Sequence, residues 1–183
     1  MAEGPVRRGA LAHVAALRGE GFRMEPGSEG SMLLLRGAPD ETFLAGTAAA
    51  LGVPPPVTPN TAAIGASATV LWLAPDEWLV VAADMPSEAL SRSLAGLHAA
   101  VVDVSDAFAA IRMSGTRVPD ILAAGCSLDL HPRVFSGVGR TLLGKADVLL
   151  HGIGDAGTIV FDVYVARSYA DYLWRWLRSA ASG

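Results

Sequence analysis

The stretch Phe161-Asp-Val-Tyr-Val-Ala-Arg-Ser-Tyr-Ala-Asp-Tyr-Leu-Trp-Arg-Trp-Leu177 holds half of the chain's aromatic residues and changes period in its middle. Phe161, Val163 and Val165 alternate with Asp162 and Tyr164, the period-two pattern of a half-buried strand. Ser168, followed three residues later by Asp171, has the form of a capping box and predicts that a helix starts there. At about 100° per residue, Tyr169, Tyr172, Leu173, Trp176 and Ala180 fall on one face, and that face is expected to pack on its own sheet. Trp174 falls opposite, among Asp171, Arg175 and Arg178. An indole beside arginines on a polar face suits a protein partner, where Trp and Arg are enriched, so Trp174, Arg175 and Arg178 are the predicted interface residues.

Working outward from this strand and helix, the same pattern occurs twice in the chain. In the first occurrence Met32 to Arg36 reads as a strand, and a helix opens at Pro39, runs through Leu51 and stops at Gly52. Pro54 to Pro56 then impose an extended loop. Thr69 to Leu73 and Leu79 to Val81 form a hairpin around Ala74-Pro75-Asp76-Glu77, and a helix follows from Ser87 to Leu97. In the second, Ala107 to Met113 is a strand, Val118, Ile121 and Leu122 mark a helix ended by Gly125, and Val148 to Leu150 pairs with Ile159 to Val165 around Gly154-Asp155-Ala156-Gly157. Val101 to Val104 joins the halves. The repeated strand-helix-strand-strand-helix unit predicts an α+β fold with helices on one face of a mixed or antiparallel sheet. The expected organisation is an N-terminal arm and connection over 1–30, with a short helix at Leu11 to Arg18, a first unit over 31–98 and a second over 99–183.

Composition narrows the function. Of 183 residues 51% are hydrophobic, so the chain buries a core, and only 17% are charged against roughly 25% in an average soluble domain. Mean hydropathy is positive at +0.38, yet no apolar run reaches the roughly 18 residues of a membrane span, which leaves a core or a subunit interface to absorb the apolar surface. A net charge of −4 with scattered Lys and Arg argues against a basic nucleic-acid surface. A single cysteine, Cys126, allows no internal disulfide, and the N-terminal region lacks a signal-peptide pattern; both fit a cytoplasmic protein.

Motifs for chemistry are sparse. His13, His98, His131 and His151 lack metal-ligand spacing, and neither a dinucleotide fingerprint nor a phosphate-binding Gly-Lys-Ser/Thr loop is present. Gly137-Val138-Gly139 reads as a turn. Asp129 and His131 lie on one side of an extended segment and could form an acid/base pair, although a surface loop is the more ordinary use of such a segment. Cys126 follows a helix-ending glycine and reads as a small buried apolar residue.

Four blocks, Leu71-Trp-Leu-Ala-Pro-Asp-Glu-Trp78, Asp103-Val-Ser-Asp-Ala-Phe108, Gly125-Cys-Ser-Leu-Asp-Leu-His-Pro132 and Ser168-Tyr-Ala-Asp-Tyr-Leu-Trp-Arg-Trp176, give the chain over residues 30–178 an order and spacing that resembles the gamma subunit of heterotetrameric sarcosine oxidase. The resemblance implies a fold similar to the folate-binding domain of the glycine-cleavage aminomethyltransferase (T-protein), in agreement with the doubled unit. It implies membership of a complex that oxidatively demethylates sarcosine to glycine, yields hydrogen peroxide and transfers the one-carbon unit to tetrahydrofolate. On the same grounds this chain holds no cofactor. FAD, FMN, NAD, zinc and tetrahydrofolate belong to the other subunits, and its partners are the alpha, beta and delta subunits.

Asp103-Val104-Ser105 resembles the start of the transferase domain, and Ala146-Asp147-Val148-Leu149-Leu150 resembles its segment with the acidic catalytic site. Here Ala146 replaces one of the paired acids, and the glycine-rich turn is shortened to Gly144-Lys145. Asp147 is therefore a remnant catalytic candidate in a chain expected to be a noncatalytic assembly subunit. The alternative is a stand-alone folate-binding module or one-carbon transferase acting through Asp147.

Overall fold

The computed structural model describes residues 8–131, 133–135, 137–154 and 159–183. Eleven strands and four α-helices follow one another as β1 (Leu17–Gly19), β2 (Phe22–Pro26), β3 (Ser31–Gly37), α1 (Glu41–Leu51), β4 (Ala62–Ile64), β5 (Ala68–Ala74), β6 (Glu77–Ala82), α2 (Ser87–Ser93), β7 (Ala99–Asp103), β8 (Phe108–Ser114), α3 (Val118–Ala123), β9 (Gly137–Leu143), β10 (Ala146–Ile153), β11 (Val160–Ala166) and α4 (Ala170–Ala181) among the described residues. They form two antiparallel sheets, β1-β2-β8-β11-β10-β9 and β4-β5-β6-β3-β7. Strand alternation then sorts side chains into layers. Ile111, Val148, Leu150, Phe161, Val163 and Val165 turn outward under α3 and α4. Leu33, Leu35, Val70, Trp78 and Val80 turn outward under α1 and α2. Met32, Leu71 and Leu79 meet Val138, Leu149 and Tyr164 between the sheets. The result is helix, sheet, sheet, helix, a four-layer α+β architecture.

The doubling expected from the sequence is present in the strand order itself. In one sheet β3 pairs with β6, β6 with β5 and β5 with β4; in the other β8 pairs with β11, β11 with β10 and β10 with β9. Each unit has one more strand than its sequence pattern suggested. β4 is three residues long and β9 opens Gly-Val-Gly, so neither carries a strong strand signature. Gly137-Val138-Gly139, read above as a turn, is the start of β9, paired with Leu150, His151 and Gly152 of β10. The hairpin turn residues Asp155, Ala156 and Gly157 lie outside the described residues.

The sheets also cross the boundaries expected at 30 and 98. β2 leads into the first unit yet pairs with β8 of the second, while β7 leads into the second unit yet pairs with β3 of the first. Each unit therefore lends its leading strand to the other's sheet. Ser105 fastens this exchange: its hydroxyl accepts from Met32 N at 2.9 Å and donates to Asp103 Oδ1 at 2.6 Å. The N-terminal helix expected at Leu11 to Arg18 is absent, because Gly9 to Val14 close only i to i+3 turns and Leu17–Gly19 pairs with Phe22–Met24 around Gly21 at φ +70.

Local signals account for the helices. Asp40 caps α1 through Oδ1, which accepts from Phe43 N at 2.9 Å, and Gly52 at φ +75 donates back to Ala48 O. The Pro54–Pro56 loop is anchored by Trp78 Nε1 donating to Pro56 O at 2.8 Å, and the Trp78 ring lies against Phe43.

The last helix departs most from expectation. Arg167–Tyr169 is a 3-10 turn, α4 starts at Ala170, and no side chain among the described residues caps it; Asp171 instead engages His13 and Arg175. The buried stripe is Ala170, Leu173, Trp174, Leu177 and Ala181, while Tyr169 and Tyr172 are exposed. Trp174 is only 4% exposed, so its assignment to an interface is overturned: the indole is core. Small Ala170 and Ala181 let the helix sit close to the sheet and send Trp174 inward. Tyr172 and Trp176 lie at the flank, where Tyr172 Oη accepts from Lys145 N at 3.1 Å and Trp176 covers the backbones of Gly125 and Gly144. Amphipathic rings commonly take such rim positions, with a polar atom turned toward a partner. Arg175 and Arg178 remain on the exposed face.

Candidate functional site between the sheets

Polar residues interrupt the layer between the sheets in one place. Register aligns Glu25 of β2 with Arg112 of β8, Arg112 with Asp162 of β11, and Asp162 with His151 of β10. Alternation on β11 turns Asp162 and Tyr164 away from the α4 side and toward the other sheet. Arg112 Nε and Nη2 donate to Asp162 Oδ1 and Oδ2, both at 2.7 Å, a bidentate charge-assisted pair. Arg23 pairs with Glu25 at the row's other end.

Burial sets the electrostatics. Asp162 is buried, whereas the Arg112 side chain is 49% exposed. The hydrogen bonds to Asp162 hold the Arg112 guanidinium above its ordinary pKa, against the opposing effect of its own burial. Burial pushes the His151 imidazole below its ordinary value; Asp162 pulls it back up and Arg112 adds to the depression. The Tyr164 hydroxyl is raised, first by burial and then by Asp162. Burial thus favours the neutral ring of His151, which is 2% exposed, and among the described residues its Nδ1 has no hydrogen-bond partner. An orphaned buried polar atom costs about 1–3 kcal/mol.

A cleft of about 270 Å³ opens beside this row, lined by Arg112, His151, Asp162 and Tyr164 on one side and by the Gly65–Thr69 turn, Val81 and Ala82 on the other. The sequence contains the signal for this site, polar residues at alternate positions of strands flanked by apolar ones, but alternation alone assigns that face to solvent. The partner sheet that covers it is what makes Arg112, His151, Asp162 and Tyr164 stand out.

The residues singled out by sequence do not gather there. Asp147 is an exposed residue of β10 opposite Leu142, roughly 13 Å along the strand from His151. Among the described residues it makes no hydrogen bond or ion pair. Ala146 beside it is fully buried on the α3 and α4 side. Asp129 Oδ1 accepts from His131 N at 3.0 Å, and His131 Nδ1 accepts from Arg133 N at 3.2 Å, so both side chains stabilise their own loop. Cys126 is half-buried beside Thr141. Among the described residues no group of three His, Cys, Asp or Glu side chains could hold a metal ion, and no helix is long and apolar enough to cross a membrane.

The doubled sandwich with outer helices defines a class of fold. The chain is similar to the glycine cleavage system aminomethyltransferase T from Bartonella henselae, with a TM-score of 0.60 and 15% identity over 84% of this chain and 44% of that one, a likeness of fold alone. A chain of heterotetrameric sarcosine oxidase from Corynebacterium sp. U-96, solved in complex with pyrrole 2-carboxylate, superposes with a TM-score of 0.86 at 29% identity over 96% of this chain and 95% of that one. Sarcosine oxidase subunit gamma of Corynebacterium sp. (strain U-96) is 32% identical over 97% of this chain and 91% of its own length, and that of an Arthrobacter species is 35% identical over 81% and 72%. Residues 36–183 match the model of the "Sarcosine oxidase, gamma subunit family", and the chain belongs to that family.

Proposed function

We propose that the chain is a noncatalytic assembly subunit of a cytoplasmic heterotetrameric sarcosine oxidase. The observation that carries this reading is its end-to-end likeness to a chain of the Corynebacterium heterotetramer. The isolation of Asp147 supports the noncatalytic part: among the described residues this exposed carboxylate makes no hydrogen bond or ion pair that could orient it for proton transfer. In this reading alpha, beta and delta subunits are the partners. They carry the FAD, FMN, NAD, zinc and tetrahydrofolate chemistry that demethylates sarcosine to glycine, forms hydrogen peroxide and passes on the one-carbon unit. The exposed face of α4, with Arg175 and Arg178, is offered as part of the assembly surface.

Co-expression of the other subunits with and without this chain, followed by size exclusion and sarcosine turnover, tests the reading. Loss of assembly without the chain is expected, together with unchanged turnover for Asp147→Asn. Equal assembly and turnover in its absence refutes the role. Charge reversal of Arg175 and Arg178 to Glu is expected to weaken the complex. Calorimetric binding of tetrahydrofolate to this chain alone would favour the transferase alternative.

A further inference from the structure

The cleft between the sheets, beside the Arg112–Asp162 pair, has the features of a binding site. Arg112 uses Nε and one proton of Nη2 on Asp162, leaving three N–H groups of a guanidinium that is half in water. Asp162 holds that fork in one orientation. His151 lines the same cleft, nearly fully buried, with Nδ1 lacking a partner among the described residues. The facing wall is made of small residues, Gly65 to Ala68 and Ala82, which leave the space open, while Met32, Val81 and Ile153 give it apolar sides.

We propose that this cleft binds a small organic carboxylate, whose oxygens accept hydrogen bonds from the free edge of Arg112, beside the His151 ring that lines the same cleft. A planar carboxylate matches the fork of a guanidinium. One negative charge also suits the local balance better than a doubly charged phosphate. Asp162 already offsets Arg112 and Glu25 offsets Arg23, so the ligand is held by free N–H donors and not by surplus positive charge. Met32, Val81 and Ile153 suit a short carbon chain.

The test is a titration of the full chain, labelled in its histidine rings, with sodium acetate, with acetamide and with sodium chloride at matched ionic strength, following the His151 ring resonances identified through His151→Gln. Acetate is expected to shift them saturably in the millimolar range, with acetamide and chloride at least tenfold weaker. Arg112→Gln is expected to abolish the acetate response. Should that variant misfold, the contrast between acetate and acetamide on the unaltered chain decides alone. A His151 response that is absent, unsaturable or equal for acetate and acetamide overturns the proposal. A repeat in the assembled complex distinguishes the source: a partner's carboxylate in the cleft shifts His151 on assembly and blocks acetate, whereas a free metabolite leaves the acetate response intact.

Discussion

Arg112 and Asp162 meet edge to edge across the β8–β11 pairing, Nε and Nη2 each 2.7 Å from a carboxylate oxygen, with the carboxylate buried and the guanidinium half in water. The carboxylate therefore depends on the arginine more than the reverse. Removing one partner of a fully buried pair costs about 3–5 kcal/mol, and solvent around Arg112 reduces that. Arg112→Ala is expected to lower stability by about 2 kcal/mol in urea unfolding. Asp162→Leu in the same chain is expected to recover part of the loss, and strictly additive losses in the double variant exclude the coupling.

His151 predicts a pH dependence with a definite sign. Burial holds its folded pKa below the ordinary 6.5, so below that value the unfolded chain takes up a proton that the folded chain refuses. The stability tied to the neutral ring is present above pH 6.5 and lost as pH falls toward the folded pKa, at a slope of at most about 1.4 kcal/mol per pH unit. Chemical unfolding between pH 7.5 and 5.5 is expected to show His151→Phe losing less stability than the parent. Parallel losses contradict a buried neutral imidazole.

Trp174 and Trp176 are expected to differ in thermal and urea unfolding. Truncating the buried Trp174 to Ala is expected to cost about 3–5 kcal/mol. Trp176, half-buried at the flank, is expected to cost roughly half as much, since part of its surface stays in water in the folded state. The reverse ranking rejects the placement of α4.

Gly125 tests the contact beneath Trp176. A Cβ there would meet Trp176 Cζ2 at 2.5 Å and Gly144 N at 2.9 Å. Gly125→Ala is expected to destabilise by about 1–3 kcal/mol through overpacking. Adding Trp176→Leu is expected to restore part of it, which melting of the two variants would reveal.

Where local chemistry decides, the sequence was legible. Asp40 and Gly52 bracket α1 because a cap and a left-handed glycine act within one turn. The strands around Leu33, Val80, Ile111 and Val163 follow from alternation. The three-residue β4 and the glycine-opened β9 carry little strand signal because such edge strands are specified by their neighbours more than by their own residues. Trp174 lies on the buried face because the face that packs is centred about 100° round the helix from the expected one, marked by the larger aromatics Tyr172 and Trp176. The stripe Ala170, Leu173, Trp174, Leu177, Ala181 was present, but close approach of small residues competed with the larger aromatic signal.

The sequence alone determined the α+β class, the doubled unit, most strands and helix ends, and the resemblance to the gamma subunit family, because periodicity, caps and motif order are local properties of the chain. Tertiary structure decided what the alternate residues face. Pairing β2 with β8 and β7 with β3 exchanges strands between the units, and stacking the two sheets buries His151 and Asp162 beside the half-exposed Arg112, three residues from three separate strands. Alternation distinguishes one side of a strand from the other; only the arrival of a second sheet converts a nominally solvent side into an interior with a low dielectric around a buried imidazole.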